Sequence, residues 1–352
     1  MKSIYCEISE ISDGTRFAVA TVIETEGSTP QKAGSVAVFI RSGLLAGTVG
    51  GGVLEGRVNK LSIESINSGK SGIYHFDLNF DITYKEDAIC GGNVKVLIEI
   101  FTAGKGSAFK KLCQSLRERQ SGLLVTIIEN KEDSTTYSER YWITSARMND
   151  LPADYNSILE KDLERYLSSH ISGRFEEKTI STLGERRQVR ILLESVLPPK
   201  KLVIAGAGHI GKALAHLASR LDFEVIVIDD RLEFANKQNI PEADLILVGD
   251  IGSVLEGIDK QSDTYIVIVT RGHNDDAKAL KACIHSEAGY IGMIGSRTKI
   301  EQMHLSFIEN GWTTERRWSA IHSPVGLEIR SKTVEEIAVS IAAQLVMVKN
   351  SG

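Results

Sequence analysis

The chain has 352 residues, a formal net charge of −5, 42% hydrophobic residues and 25% charged ones. That is the balance of an ordinary globular protein long enough for two cores. It offers no basic face for nucleic acid or an anionic membrane, and no apolar run approaches the roughly 18–20 residues that span a bilayer.

In chain order, strands are expected at 16–24 and 35–41. A helix is expected over 53–67, with Val53, Leu54, Val58, Leu61 and Ile66 as its apolar face. A strand at 94–101, a helix at 107–119 and a strand at 123–129 follow. Residues 130–140 are polar and read as a surface hairpin loop. Further strands at 141–144, 175–180 and 189–194 surround a helix at 158–169. Residues 1–197 thus read as an α+β domain on a mixed sheet. Pro198 and Pro199 punctuate the chain, because each removes a backbone donor and restricts its predecessor. Beyond them, strands at 201–205, 224–228, 244–248, 264–269 and 289–294 alternate with helix-length segments. Alternation of that kind implies a Rossmann-like domain with a parallel sheet over 198–352, an α/β architecture covered on both faces. Thr333 caps a final helix at 333–348, with Glu335 and Glu336 in its first turn.

The first strand of the second domain runs into Gly206, Gly208 and Gly211, a G-x-G-x-x-G turn with strand and helix both in place. Asp229 closes the next strand, where a carboxylate can accept from a ribose diol, and Arg231 nearby is suited to a phosphate instead. After the fourth strand, Arg271 and His273 stand at the edge where ligands of open α/β sheets bind. Asn274, Asp275 and Asp276 read there as helix cap and dipole partners, ahead of a metal site with His273.

The first domain carries two glycine clusters. Gly50, Gly51 and Gly52 lead into a helix whose first turn holds Glu55, and their N–H groups form an anion nest. For Glu55 itself, charge matching to the helix dipole is the competing role. Cys90 precedes Gly91 and Gly92, leaving a thiol with little cover, nucleophilic or metal-binding if nearby N–H groups lower its pKa. The turn at 27–30 is a further border of the same pocket. Cys6, Cys90, Cys113 and Cys283 have no C-x-x-C spacing and are all expected to be free thiols. Glu7 and Glu10 interrupt the stretch where a signal peptide needs its apolar core, so the expected location is cytoplasmic.

Taken together, residues 26–30 (EGSTP), 47–52 (GTVGGG) with Glu55, 90–92 (CGG), 205–211 (AGAGHIG), 270–273 (TRGH), 290–297 (YIGMIGSR) and 322–327 (HSPVGL) resemble the XdhC/CoxI family of xanthine dehydrogenase accessory proteins. The resemblance covers nearly the whole chain. It implies a chaperone that binds the molybdenum cofactor (molybdopterin), holds it during sulfuration and delivers it to a molybdenum hydroxylase apoenzyme. A cysteine desulfurase is a further partner consistent with that role. On this reading the cofactor-binding residues are Cys90, Gly91, Gly92, Gly50, Gly51, Gly52 and Glu55, with Cys90 facing the metal. Gly206, Gly208, Gly211, Asp229 and His273 line a second surface for a nucleotide part of the cofactor or a separate NAD(P). Val53 stands where some branches of the family place a Cys, which leaves Cys90 as the only thiol in these motifs. A homodimer is expected, since a second wall would shelter a large labile cofactor. The alternatives are an NAD(P)-dependent oxidoreductase and a non-catalytic dinucleotide-binding sensor.

Overall fold

The computed structural model describes residues 3–78, 92–104, 107–130, 136–168, 174–181 and 188–351. The chain divides into two compact units between Pro198 and Pro199.

In the first unit, α1 (Ile4–Ser9) precedes β1 (Arg16–Gly27), β2 (Val36–Ile40), β3 (Gly43–Gly47), α2 (Gly52–Ser68), β4 (Gly72–Asp77) and β5 (Gly92–Thr102). Then come α3 (Ala108–Arg117), β6 (Gly122–Asn130), β7 (Thr136–Ile143), α4 (Ala153–Leu167), β8 (Phe175–Ser181) and β9 (Gln188–Val196). The strands form two sheets, in the orders β3-β2-β1-β5-β4 and β7-β6-β9-β8. Every pairing in them is antiparallel, so the single mixed sheet expected here is two antiparallel ones. The cause lies in the connections: most neighbours are sequential strands, which short links can join only antiparallel.

β1 is buried along both faces. Ala18, Ala20 and Val22 pack with Leu54, Val58 and Ile66 of α2. Phe17 and Val19 turn the other way, toward Phe109 of α3 and Leu124 and Trp142 of the second sheet. Leu159 and Leu163 of α4 cover that sheet's far side. Between the sheets sits a polar cluster. Arg140 of β7 pairs with Glu99 of β5 and donates to Thr21 Oγ1 of β1 at 2.9 Å. Nearby, Tyr5 donates to the half-buried Glu194 carboxylate at 2.5–2.6 Å. Burial pushes the Glu194 carboxyl up, against the lowering influence of Tyr5 and Arg140. Residues 136–140, expected to lie in a surface loop, are therefore strand, and Arg140 is a core residue.

The cysteines are not all free thiols, contrary to what their spacing predicts. Cys6 of α1 and Cys113 of α3 are joined as a disulfide, with Cα atoms 5.0 Å apart, within the usual span for such a bond. Packing of the two helices brings together residues 107 positions apart, which no local spacing reveals. Cys283 is free and buried, its thiol pushed up to about 12 by burial. Cys90 lies outside the described residues.

The second unit contains β10 (Lys200–Ala205), α5 (His209–Arg220), β11 (Phe223–Asp229), β12 (Leu245–Val248), α6 (Ile251–Glu256), β13 (Thr264–Ile268) and α7 (His273–Cys283). It ends with β14 (Tyr290–Met293), α8 (Arg297–Glu309), α9 (Glu315–Trp318) and α10 (Val334–Asn350). Its sheet runs β12-β11-β10-β13-β14 and is parallel throughout. This is the doubly wound order of a Rossmann fold, reversing direction between β10 and β13. Leu202, Ile204, Val225 and Val227 face α5 and α10, while Val203, Ile226 and Ile266 face α7 and α8. Both faces are covered, which is why these strands read as unbroken apolar runs. Thr333 caps α10 in a reciprocal capping box with Glu336. Among the described residues, no helix is long and apolar enough to cross a membrane.

Candidate functional site

One end of the first sheet gathers two of the sequence motifs, 26–30 and 47–52, and Gly92 of a third. β1 pairs with β5 up to Gly27 opposite Gly92. A Cβ on Gly92 would lie 2.5 Å from the Glu26 carbonyl oxygen and 2.9 Å from that of Ser28, so the strand must present a glycine there. Gly50 seats against Pro30, where a Cβ would come within 2.6 Å of the proline ring. The 26–30 turn therefore touches both glycine clusters.

Gly51 and Gly52 differ from these two. A Cβ on either would meet nothing within 4 Å. Both have positive φ, +68° and +54°, where the chain turns into α2, whereas the N–H of Gly50, expected in the same nest, donates to Thr48 Oγ1 at 3.1 Å. Gly51 occupies the N-cap position, and no side chain caps the helix there. The orphan donors of the first turn and the positive end of the helix dipole are groups of the kind that suit an anion. Glu55 does not project onto it. Its Oε2 accepts from Thr48 Oγ1 at 2.6 Å and from the Val49 N–H at 3.3 Å, bracing the loop that leads into the glycines.

The Rossmann cleft shows the same division of labour. A Cβ on Gly206 would lie 2.4 Å from the Val269 carbonyl oxygen, and one on Gly211 would lie 1.9 Å from the Gly206 carbonyl oxygen. Tight turn and close helix packing account for both. Gly208 has open space at its Cβ position and heads α5 with no side-chain cap. The turn is fixed from two sides: the Ala207 N–H donates to Asp229 at 2.8 Å, and its carbonyl accepts from Asn239 at 3.4 Å.

Asp229, read from sequence as a ribose acceptor, is 1% exposed. Its Oδ1 accepts from the Arg231 N–H at 3.0 Å and from Nε at 2.8 Å. Its Oδ2 accepts from Ala207 N–H and from Arg231 Nη2 at 2.9 Å. Burial pushes this carboxyl up, but the Arg231 side chain and the two N–H donors outweigh it and hold it below the ordinary carboxylate range. Arg231 in turn stacks 4.1 Å above the Phe234 ring.

At the edge of β13, His273 begins α7 and is exposed, as is Arg271. Gly272 is the N-cap and no side chain caps the helix, so the capping expected of Asn274, Asp275 and Asp276 is absent. Asp276 instead turns inward: fully buried, it accepts from Thr270 Oγ1 at 2.5 Å and pairs with Lys299 of α8. A buried acid in the first turn of a helix with an exposed start gives no sequence signal until its lysine partner is known. Among the described residues, no group of three or more His, Cys, Asp or Glu is placed to hold a metal. Cys90 and Gly91 lie outside them.

Comparison with known proteins adds to this geometry. The XdhC Rossmann domain profile matches residues 202–345, and the XdhC and CoxI family profile matches residues 11–77. A Bacillus subtilis protein described as a probable subunit of xanthine dehydrogenase is 24% identical over 341 residues, covering 96% of this chain and 95% of its own length. The uncharacterized YqeB of Escherichia coli is 31% identical over 172 residues, which span 49% of this chain and only 31% of that protein. A crystal structure described as a xanthine dehydrogenase from Bacillus halodurans superposes with a TM-score of 0.75 at 21% identity, covering 99% of this chain and 95% of that one. At that identity the likeness is one of fold.

Proposed function

This chain belongs to the XdhC/CoxI family, and from that premise we propose that it is a cytoplasmic accessory protein serving a molybdenum hydroxylase of the xanthine dehydrogenase type. Its task is to bind molybdopterin and support sulfuration and insertion of the molybdenum cofactor. A single observation carries the reading: Gly51 and Gly52 leave open space beside an uncapped helix start, at the sheet end where the 26–30 turn meets Gly50 and Gly92. Molybdopterin ends in a phosphate, and the first-turn N–H groups of α2 are suited to one. Glu55 and Pro30 act here as positioning residues, holding the loop from either side.

When bound, the cofactor supplies a molybdenum centre that favours thiolate ligands. Cys90 is the residue we assign to it, two positions before Gly92. The Rossmann cleft would take a nucleotide, either as part of the cofactor or as separate NAD(P), at the open side of Gly208. The hydroxylase apoenzyme is the principal partner, with a cysteine desulfurase as sulfur source and a second copy of the chain as further ones.

The test is a titration of the full chain with molybdopterin beside NAD and NADP, repeated with Cys90→Ser. We expect molybdopterin to bind and the variant to lose retention by tenfold or more. Nicotinamide binding without molybdopterin binding would return the protein to the oxidoreductase or sensor readings.

A further inference from the structure

We infer that Asp230, rather than Asp229, reads the ribose of a nucleotide in the Rossmann cleft, and that the cleft selects a free 2′-hydroxyl over a 2′-phosphate. The inference rests on the proposal above that this cleft holds a nucleotide.

A carboxylate offers about four acceptor positions. In Asp229 all four are filled, two on each oxygen, by the Ala207 N–H and by three donors of Arg231. A ribose hydroxyl could reach it only by displacing the Arg231 fork or the N–H that fixes the glycine turn. Losing either would leave a buried charge short of donors, which is costly. Asp229 is therefore a positioning residue that ties the turn to the end of β11.

The next carboxylate is differently placed. Asp230 follows the last residue of β11, at the carboxyl edge where such sheets bind ligands. Its side chain is 59% exposed, and its contact with Arg231 Nε is a loose 3.8 Å. It keeps acceptor capacity that Asp229 lacks. Two hydroxyls of a ribose diol are donors of the kind it would take.

The same arrangement disfavours a 2′-phosphate. Arg231 is the cation at hand, and it is already neutralised by Asp229 in a bidentate pair and stacked on Phe234. An incoming phosphate would meet two carboxylates against one committed guanidinium, and like charges at short range repel.

The experiment titrates the full chain with NADH and NADPH as fluorescent probes, in wild type, Asp230→Ala and Gly208→Val. The valine blocks the open side of the turn and serves as the control for binding at the cleft. Wild type should bind NADH about tenfold more tightly than NADPH. Asp230→Ala should weaken NADH about tenfold, as loss of hydrogen bonds to a charged acceptor predicts, and should narrow the preference between the two probes. If Asp230→Ala leaves NADH affinity within about twofold while Gly208→Val abolishes it, the nucleotide reading stands and the assignment to Asp230 is overturned. If wild type binds neither probe, the cleft takes no separate NAD(P), and the inference is overturned. A preference for NADPH in wild type would overturn the selectivity directly.

Discussion

The two glycine loops, one in each unit, are built alike although they share no topology. In each, some glycines are demanded by the fold and others are not. Gly206 and Gly211 leave no room for a Cβ against neighbouring carbonyls, and Gly50 leaves none against Pro30, whereas Gly208, Gly51 and Gly52 face open space. Each loop also has an acid that folds back to accept one of its N–H groups, Asp229 from Ala207 and Glu55 from Val49. A glycine-rich motif is thus a mixture of positions that packing demands and positions that packing leaves open. Only the packing around each Cβ sorts one from the other.

Where the units differ is in how they are fastened, and this gives the largest effect to test. The first unit has the Cys6–Cys113 link across 107 residues, and the second has only the buried thiol of Cys283. Closing a loop of that length stabilises a fold by roughly 4.8 kcal/mol in the chain-entropy account. Reduction should therefore lower the unfolding temperature of the first unit and leave that of the second in place. A calorimetric scan with and without reductant checks this, and equal shifts in both transitions would break the contrast.

Within the Rossmann loop, Gly211→Ala should destabilise the unit by about 3 kcal/mol, since the new methyl must push aside backbone in a packed core. Gly208→Ala should cost less than about 0.5 kcal/mol by the same chemical denaturation. Similar losses for the two would mean that the open side of Gly208 is not open in solution.

Asp229→Asn should cost about 2 kcal/mol, because charge-assisted bonds from Arg231 and Ala207 weaken together. The pH dependence follows from the depressed carboxyl. A group whose folded pKa lies below its unfolded value of about 3.9 contributes fully above that value and loses its contribution as pH falls through the folded one. The stability gap between wild type and variant should hold between about pH 6 and 8 and shrink below about pH 4. A gap that widened in acid would contradict the assigned direction.

How much of this is legible in the sequence depends on where each residue's partner lies. The parallel strands are plain because both faces of β10, β11 and β13 are buried, and an apolar run records that directly. β4 leaves no such trace, because Phe76 is its one fully buried side chain. The polar start of β7 has the composition of a loop, because the partners that bury Arg140, Glu99 and Thr21, are 41 and 119 residues away. Cys6 and Cys113 have the spacing of free thiols for the same reason. The site motifs are legible as motifs, yet Asp229 and Glu55 have the look of ligand-facing acids when their donors come from their own loops. Composition and spacing place an acid near a turn; they do not show which N–H it already accepts.

If the open glycines of the first unit mark the face that takes the cofactor phosphate, Gly52→Asp is the variant that should show it. Aspartate tolerates the left-handed backbone at this position and suits a helix N-terminus, so the fold should keep its stability within about 1 kcal/mol. Its carboxylate would at the same time repel a phosphate from the α2 donors. Molybdopterin affinity should fall tenfold or more with the unfolding temperature nearly unchanged. Undiminished affinity in the folded variant would contradict it.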